Sequence, residues 1–130
     1  VSAVSIDHGR VLLIRRSPPI PELWAPPGGK VEPHEGLLKA LMRETYEEIG
    51  ISLRPLRLIA EIELYAPSRS YVLFSFLCEP PIDPDAISAH SDALDARWFQ
   101  LNEAMAMPLA PGVTTTLMAI SDGRKSTHNT

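Results

Sequence analysis

Between Gly29 and Ile51 the chain reads G-K-V-E-P-H-E-G-L-L-K-A-L-M-R-E-T-Y-E-E-I-G-I. Glu35 to Ile49 is predicted to be a helix, because apolar residues recur there at helical spacing and no proline interrupts them. Gly50 follows, where a positive φ closes a helix at little cost to glycine. Leu38, Leu41, Met42, Thr45 and Ile49 fall on one stripe and are expected to face a core. Glu44, Glu47 and Glu48, spaced i, i+3, i+4, share a different face. Ala40 lies on that side, small enough to let a ligand approach. Arg43 stands four residues before Glu47 and can pair with it.

Three carboxylates within one helical turn repel one another, so alone the arrangement is unfavourable. A divalent cation converts that repulsion into binding, and Mg²⁺ takes oxygen ligands while keeping several waters. The turn Pro26-Pro27-Gly28-Gly29 just upstream offers backbone carbonyls, of which Gly29 is the expected ligand. The segment therefore points to metal-dependent phosphate chemistry.

The same residues resemble the signature of the Nudix hydrolases: Gly, five residues, Glu, seven residues, Arg-Glu, an aliphatic, any residue, Glu-Glu, any residue, Gly, an aliphatic. It maps onto Gly29, Glu35, Arg43, Glu44, Glu47, Glu48, Gly50 and Ile51, and all seven fixed positions are met. A chance match in a chain this long is on the order of one in a million. Thr45 stands where the pattern prefers a bulky aliphatic, and His34 where many members carry Gly. The resemblance extends to Trp24-x-x-Pro27-Gly28-Gly29 and to Ala96-Arg97-Trp98-Phe99.

This resemblance implies an α/β fold, a three-layer α/β/α sandwich around a mixed β-sheet. It implies Mg²⁺-dependent hydrolysis, with Mn²⁺ an alternative, of a phosphoanhydride in a nucleoside diphosphate derivative. A nucleoside triphosphate, an ADP-ribose-like compound and a dinucleoside polyphosphate all qualify. It implies that Glu44, Glu47 and Glu48 ligate the metal with Gly29, that Glu44 helps orient or deprotonate the water, and that Arg43 holds Glu47. Glu35 is read as support for the helix N-terminus. The family's general base often lies outside the signature, on a loop near the C-terminal strands, and Asp92, Asp95 and Glu79 are the candidates. The alternative is a catalytically silent Nudix-fold module that binds a nucleotide and regulates a partner. Such modules usually lose a signature carboxylate, and this chain keeps all of them.

Outward from this segment, Val1–Ile6 and Val11–Ile14 flank Asp7-His8-Gly9-Arg10 and read as a β-hairpin. Residues 17–22 form a proline-rich loop, and Leu23-Trp24-Ala25 a short strand. Leu56, Leu58, Ala60, Ile62 and Leu64 alternate with other residues as in a half-buried strand. Tyr71–Cys78, apolar on nearly both faces, reads as a central strand. A long loop over Ile82–Leu94 and a strand over Ala96–Gln100 follow. Asn102 is the expected cap of a short helix through Met107. A last helix over Pro111–Ser121 ends at Gly123, with the threonine run Thr114–Thr116 weakening it. One domain over residues 1–123 and a disordered tail over 124–130 are expected.

A net charge of −4 argues against a general binder of polymeric nucleic acid or of anionic membranes. A small nucleotide remains suitable, because bound metal offsets phosphate charge. Arg15 and Arg16, at the end of the second strand, are candidates to meet phosphates. Trp24 and Tyr65 are candidates to stack on a base, with Tyr71 and Trp98 behind them. Pro67, sixteen residues past Ile51, and Tyr65, fourteen past it, are weak pointers to ADP-ribose and to dinucleoside polyphosphates respectively. Cys78 is the only cysteine and is expected to be a buried apolar residue, so no disulfide is needed. No apolar run approaches membrane-spanning length and none reads as a secretory leader, so a cytoplasmic protein is expected. Nothing in the pattern opposes a homodimer. The chain opens at Val1 without a Met, as processing or trimming would leave it.

Overall fold

The computed structural model describes residues 1–16 and 23–128. The proline-rich loop 17–22 lies outside the described residues. Strands β1 (Ser2–Asp7) and β2 (Arg10–Arg16) form the expected hairpin, with Ile6 opposite Val11. His8 and Gly9 both take positive φ, 49° and 79°, the geometry of a two-residue turn that matches strand twist. Next come β3 (Trp24–Ala25), helix α1 (Leu37–Ile49), β4 (Pro55–Ala66) and β5 (Arg69–Cys78). They are followed by a single 3₁₀ turn at Pro84–Ala86, β6 (Ala93–Gln100), α2 (Leu101–Met105) and α3 (Val113–His128).

The sheet runs β3-β2-β1-β5-β4, and β6 joins it through β2. The β1–β5 pair is parallel and the others are antiparallel, so the sheet is mixed. Alternation along β1 and β2 divides the interior in two. Ala3, Leu12 and Ile14 pack with Leu41, Ile49 and Leu53 on the α1 side. Val4, Val11 and Leu13 pack with Trp24, Val113 and Leu117 on the α3 side. A strand covered on both faces reads as a continuous apolar run, as Val11–Ile14 does. This is the three-layer α/β/α sandwich. No helix among the described residues is long and apolar enough to cross a membrane.

Four expectations need correction. First, the buried side of α1 is Ala40, Leu41, Thr45, Glu48 and Ile49, whereas Leu38 and Met42 are exposed. The helix is rolled toward its carboxylates, because that side docks against the glycine turn and β1, where small Ala40 fits. Second, β4 carries a register shift between Leu58 and Ala60. That bulge leaves Leu56 and Leu58 exposed and turns Ile59 into the α3-side core. Third, Asn102 lies inside α2, whose N-cap is Gln100 with no side-chain cap bond. Fourth, the last helix, expected to end at Gly123, continues as α3 to His128. A single glycine in an established helix costs only about 1 kcal/mol and need not end it.

Thr45 explains its own departure from the aliphatic pattern. Its hydroxyl donates to Leu41 O at 2.9 Å and accepts from the buried Leu53 N–H at 3.0 Å, tying α1 to the chain that follows it. Thr45→Val keeps the shape and orphans that N–H. We expect it to destabilise the fold by about 1–3 kcal/mol. Urea unfolding checks the loss, and amide exchange at Leu53 should speed up with it.

Candidate active site

The glycine turn docks edge-on against the start of β1. Ala3 N donates to Pro27 O at 2.7 Å, Gly29 N to Val1 O at 3.0 Å, and Val1 N to Gly29 O at 2.9 Å. A Cβ on Gly28 would stand 2.1 Å from Val1 O and 2.8 Å from Ser2 Cα. A Cβ on Gly29 would stand 2.5 Å from the carboxylate of Glu44. Close approach, to backbone in one case and to a carboxylate in the other, is therefore what requires both glycines.

Glu48 is 4% exposed. Its Oε1 accepts from Gly28 N at 2.7 Å and its Oε2 lies 3.5 Å from Arg16 Nη2. Burial pushes its pKa up to about 7, against the pull of Arg16 and the Gly28 N–H, and the charges of Glu44 and Asp92 push the same way. Glu44 takes Arg43 Nη1 at 2.9 Å.

Arg43 forks onto Glu35, with Nε 2.8 Å from Oε2 and Nη2 2.9 Å from Oε1, and donates to Lys30 O at 3.1 Å. Its contact with Glu47, at 3.4 Å, is the longer one, so Glu35 replaces Glu47 as its main partner. The turn through His34, at φ 65°, folds Glu35 back onto the helix. Glu35 therefore makes no cap bond and acts as the anchor of Arg43, whose hydrogen bonds hold its carboxyl down at about 2.

Each signature glutamate thus faces an arginine, and among the described residues no three acidic, histidine or cysteine side chains converge as an ion cage. The donor set still suits Mg²⁺ or Mn²⁺: carboxylates on one helix edge plus the Gly29 carbonyl, with Glu48 buried at the cost of its charge. That cost has a testable sign. The unfolded carboxyl titrates near 4.5 and the folded one at about 7, so between them the folded state holds the extra proton. Stability in EDTA should therefore fall as pH rises from about 4.5 to 7, by up to about 3 kcal/mol from this group, and not recover above it. Urea unfolding across that window, with and without Mg²⁺, measures it.

A cavity of about 1020 Å³ opens beside the turn. Its lining includes Arg16, Gly29, Lys30 and Asp92, together with Leu64, Tyr71 and Val72 of the two long strands. Of the three base candidates, Asp92 alone lines it. Asp95 pairs with Arg97 at 2.8 Å and Glu79 with Arg54 at 3.8 Å. Arg15 sits opposite Asp95 and Trp24 in the sheet and does not line the cavity. Trp24 is corrected: it is buried against Phe99, edge to face at 5.1 Å, and is core. Tyr65 is exposed, with its hydroxyl donating to Glu63 at 2.5 Å, and does not line the cavity, whereas Tyr71 does.

Sequence reasoning missed a buried chain of hydroxyls whose two outer members, Ser2 and Thr116, line the cavity. Ser2 and Ser75 Oγ lie 3.2 Å apart, Ser75 Oγ and Thr116 Oγ1 3.3 Å apart, and Thr116 donates to Gly112 O at 3.1 Å. The threonine run that looked like a weak helix former was the available signal. It also missed the Arg16–Glu48 contact, which joins residues remote in sequence.

The chain is similar to known proteins along most of its length. A model of the NUDIX domain matches residues 1–118. The NAD-capped RNA hydrolase NudC of Chromobacterium violaceum is 30% identical over 121 residues, covering 88% of this chain and 43% of its own. The 8-oxo-dGTP diphosphatase of Buchnera aphidicola is 40% identical over 55 residues, covering 42% of this chain and 44% of its own. The chain thus spans less than half the length of these curated relatives. The solution structure of the E. coli ORF135 protein superposes with a TM-score of 0.79 at 29% identity, covering 96% of this chain and 89% of that one.

Proposed function

Because the chain belongs to the NUDIX domain family, we propose that it is a divalent-cation-dependent pyrophosphohydrolase that cleaves a phosphoanhydride in a nucleoside diphosphate derivative. One observation carries the proposal. Glu48 is buried against Arg16, a cavity-lining residue, within the electrostatic reach of Glu44 and Asp92, with its pKa raised by that burial. A fold keeps such a carboxylate at a cost that cation binding offsets.

Glu44, Glu47, Glu48 and the Gly29 carbonyl would hold Mg²⁺ or Mn²⁺. The ion would supply positive charge against the phosphate oxygens and a more acidic water. Arg43, fixed by Glu35, orients Glu44 and keeps Glu47 within reach. Asp92, which lines the cavity, is the proposed acceptor of a proton from the attacking water. Arg16 and Lys30 also line the cavity and supply positive charge suited to phosphates.

The substrate is proposed to be a small nucleotide. Relatives named for NAD-capped RNA and for 8-oxo-dGTP have a nucleotide in common and little else. The cavity is at the upper end of the roughly 300–1,000 Å³ range of small-molecule sites. A net charge of −4 argues against a general binder of polymeric nucleic acid. The test is a panel of nucleoside triphosphates, ADP-ribose and dinucleoside polyphosphates, assayed for product release in Mg²⁺ and in EDTA. Turnover that EDTA abolishes is expected. Tight binding without turnover in Mg²⁺ would sink the enzyme and leave the silent module.

A further inference from the structure

Two arginines neutralise the signature glutamates, and they are held very differently. Arg43 is fastened by a two-bond fork to Glu35 and by further bonds to Glu44 and Lys30 O. Arg16, at the end of β2, has one hydrogen bond from Nη2, to Gly28 O, and a looser 3.5 Å approach to Glu48 Oε2. Its Nε is buried and has no hydrogen-bond partner among the described residues. A buried guanidinium nitrogen left unpaired is costly, although the Arg16 side chain as a whole is 41% exposed and has room to turn.

Glu48 Oε1 is taken by the Gly28 N–H, so Oε2, the oxygen Arg16 faces, is the one left for an ion. An ion there would stand within a few ångströms of the guanidinium and repel it. Arg16 also lines the cavity, where phosphate oxygens would offer the fork geometry that its present contacts lack.

We propose that Arg16 is a resident counter-cation that competes with the divalent ion for Glu48, and that ion binding hands its guanidinium to the substrate phosphates in the adjoining cavity. The proposal rests on the function given above. It makes Arg16 a positioning and coupling residue. Ion affinity is held down while the cavity is empty, and nucleotide and ion strengthen each other's binding by the same factor.

The experiment is calorimetric titration of the protein with Mn²⁺ alone, without nucleotide, at pH 8.5. Arg16→Gln should tighten Mn²⁺ by about tenfold. Arg16→Met, neutral but without the amide, should do likewise, and Arg16→Lys should stay within roughly threefold of wild type. Urea unfolding checks that each variant is folded. On the best substrate of the panel, Arg16→Gln should raise KM roughly tenfold with a smaller change in kcat. Wild-type protein that binds no Mn²⁺ would end the functional proposal itself. Wild-type binding with no tightening in either folded neutral variant would overturn the role of Arg16 alone.

Discussion

Glu48→Gln is expected to make the metal-free protein more stable while lowering turnover at least about a hundredfold. The two effects have one origin. At pH 8 the native carboxylate is charged and buried, so it destabilises the fold relative to a neutral group of the same shape. The glutamine keeps an acceptor for Gly28 N–H, and its amide loses the charge that attracts Arg16. Offsetting that loss against the removed penalty leaves a gain of about 1–3 kcal/mol in EDTA at pH 8. The gain should shrink toward pH 5, where the native glutamate already carries its proton. Saturating Mg²⁺ should stabilise the wild type and leave the variant nearly unmoved. Steady-state rates and urea unfolding, run in parallel, measure both sides. Turnover within tenfold of wild type in Mg²⁺ would remove Glu48 from the ligand set.

What the sequence made legible follows from which interactions are local. The hairpin was readable because Asp7-His8-Gly9-Arg10 separates two apolar runs, and a two-residue turn pairs them directly. The helix and its glycine end were readable because periodicity and capping are written within a few residues. The roll of α1 was not, since helical periodicity places Leu38 and Met42 on the stripe and only docking against Gly28 and β1 rotates them out. The bulge at Leu58–Ala60 was hidden for the same reason: alternation looks regular until β5 pairs with it. In the site, the carboxylates were legible from spacing, but their partners were not. Glu35 reaches Arg43 through a turn that depends on a positive φ at His34, and Arg16 reaches Glu48 from another element altogether. Trp24 shows the converse error. An aromatic beside a glycine turn reads as a stacking platform, yet its strand position points it into the α3-side core.

The glycine turn allows its structural and chemical duties to be separated. Gly28→Ala should cost at least about 3 kcal/mol, because the added carbon meets the backbone of Val1 and Ser2, which cannot move without parting the turn from β1. The bonds of Ala3 N to Pro27 O and of Gly29 N to Val1 O would be lost with it. Gly29→Ala meets only the tip of Glu44, a flexible side chain that can rotate away. The fold should therefore stay within about 1 kcal/mol of wild type. Glu44 would leave its place beside Arg43, however, and a displacement of about 1 Å in a positioned catalytic group costs up to about a hundredfold in rate. Thermal unfolding should thus rank Gly28→Ala far below Gly29→Ala, while activity should be severely reduced in both. If Gly29→Ala kept near wild-type turnover, Glu44 would not need its present position for catalysis. If Gly28→Ala folded with wild-type stability, the turn would not be pinned to β1, and the buried setting of Glu48 would need another explanation.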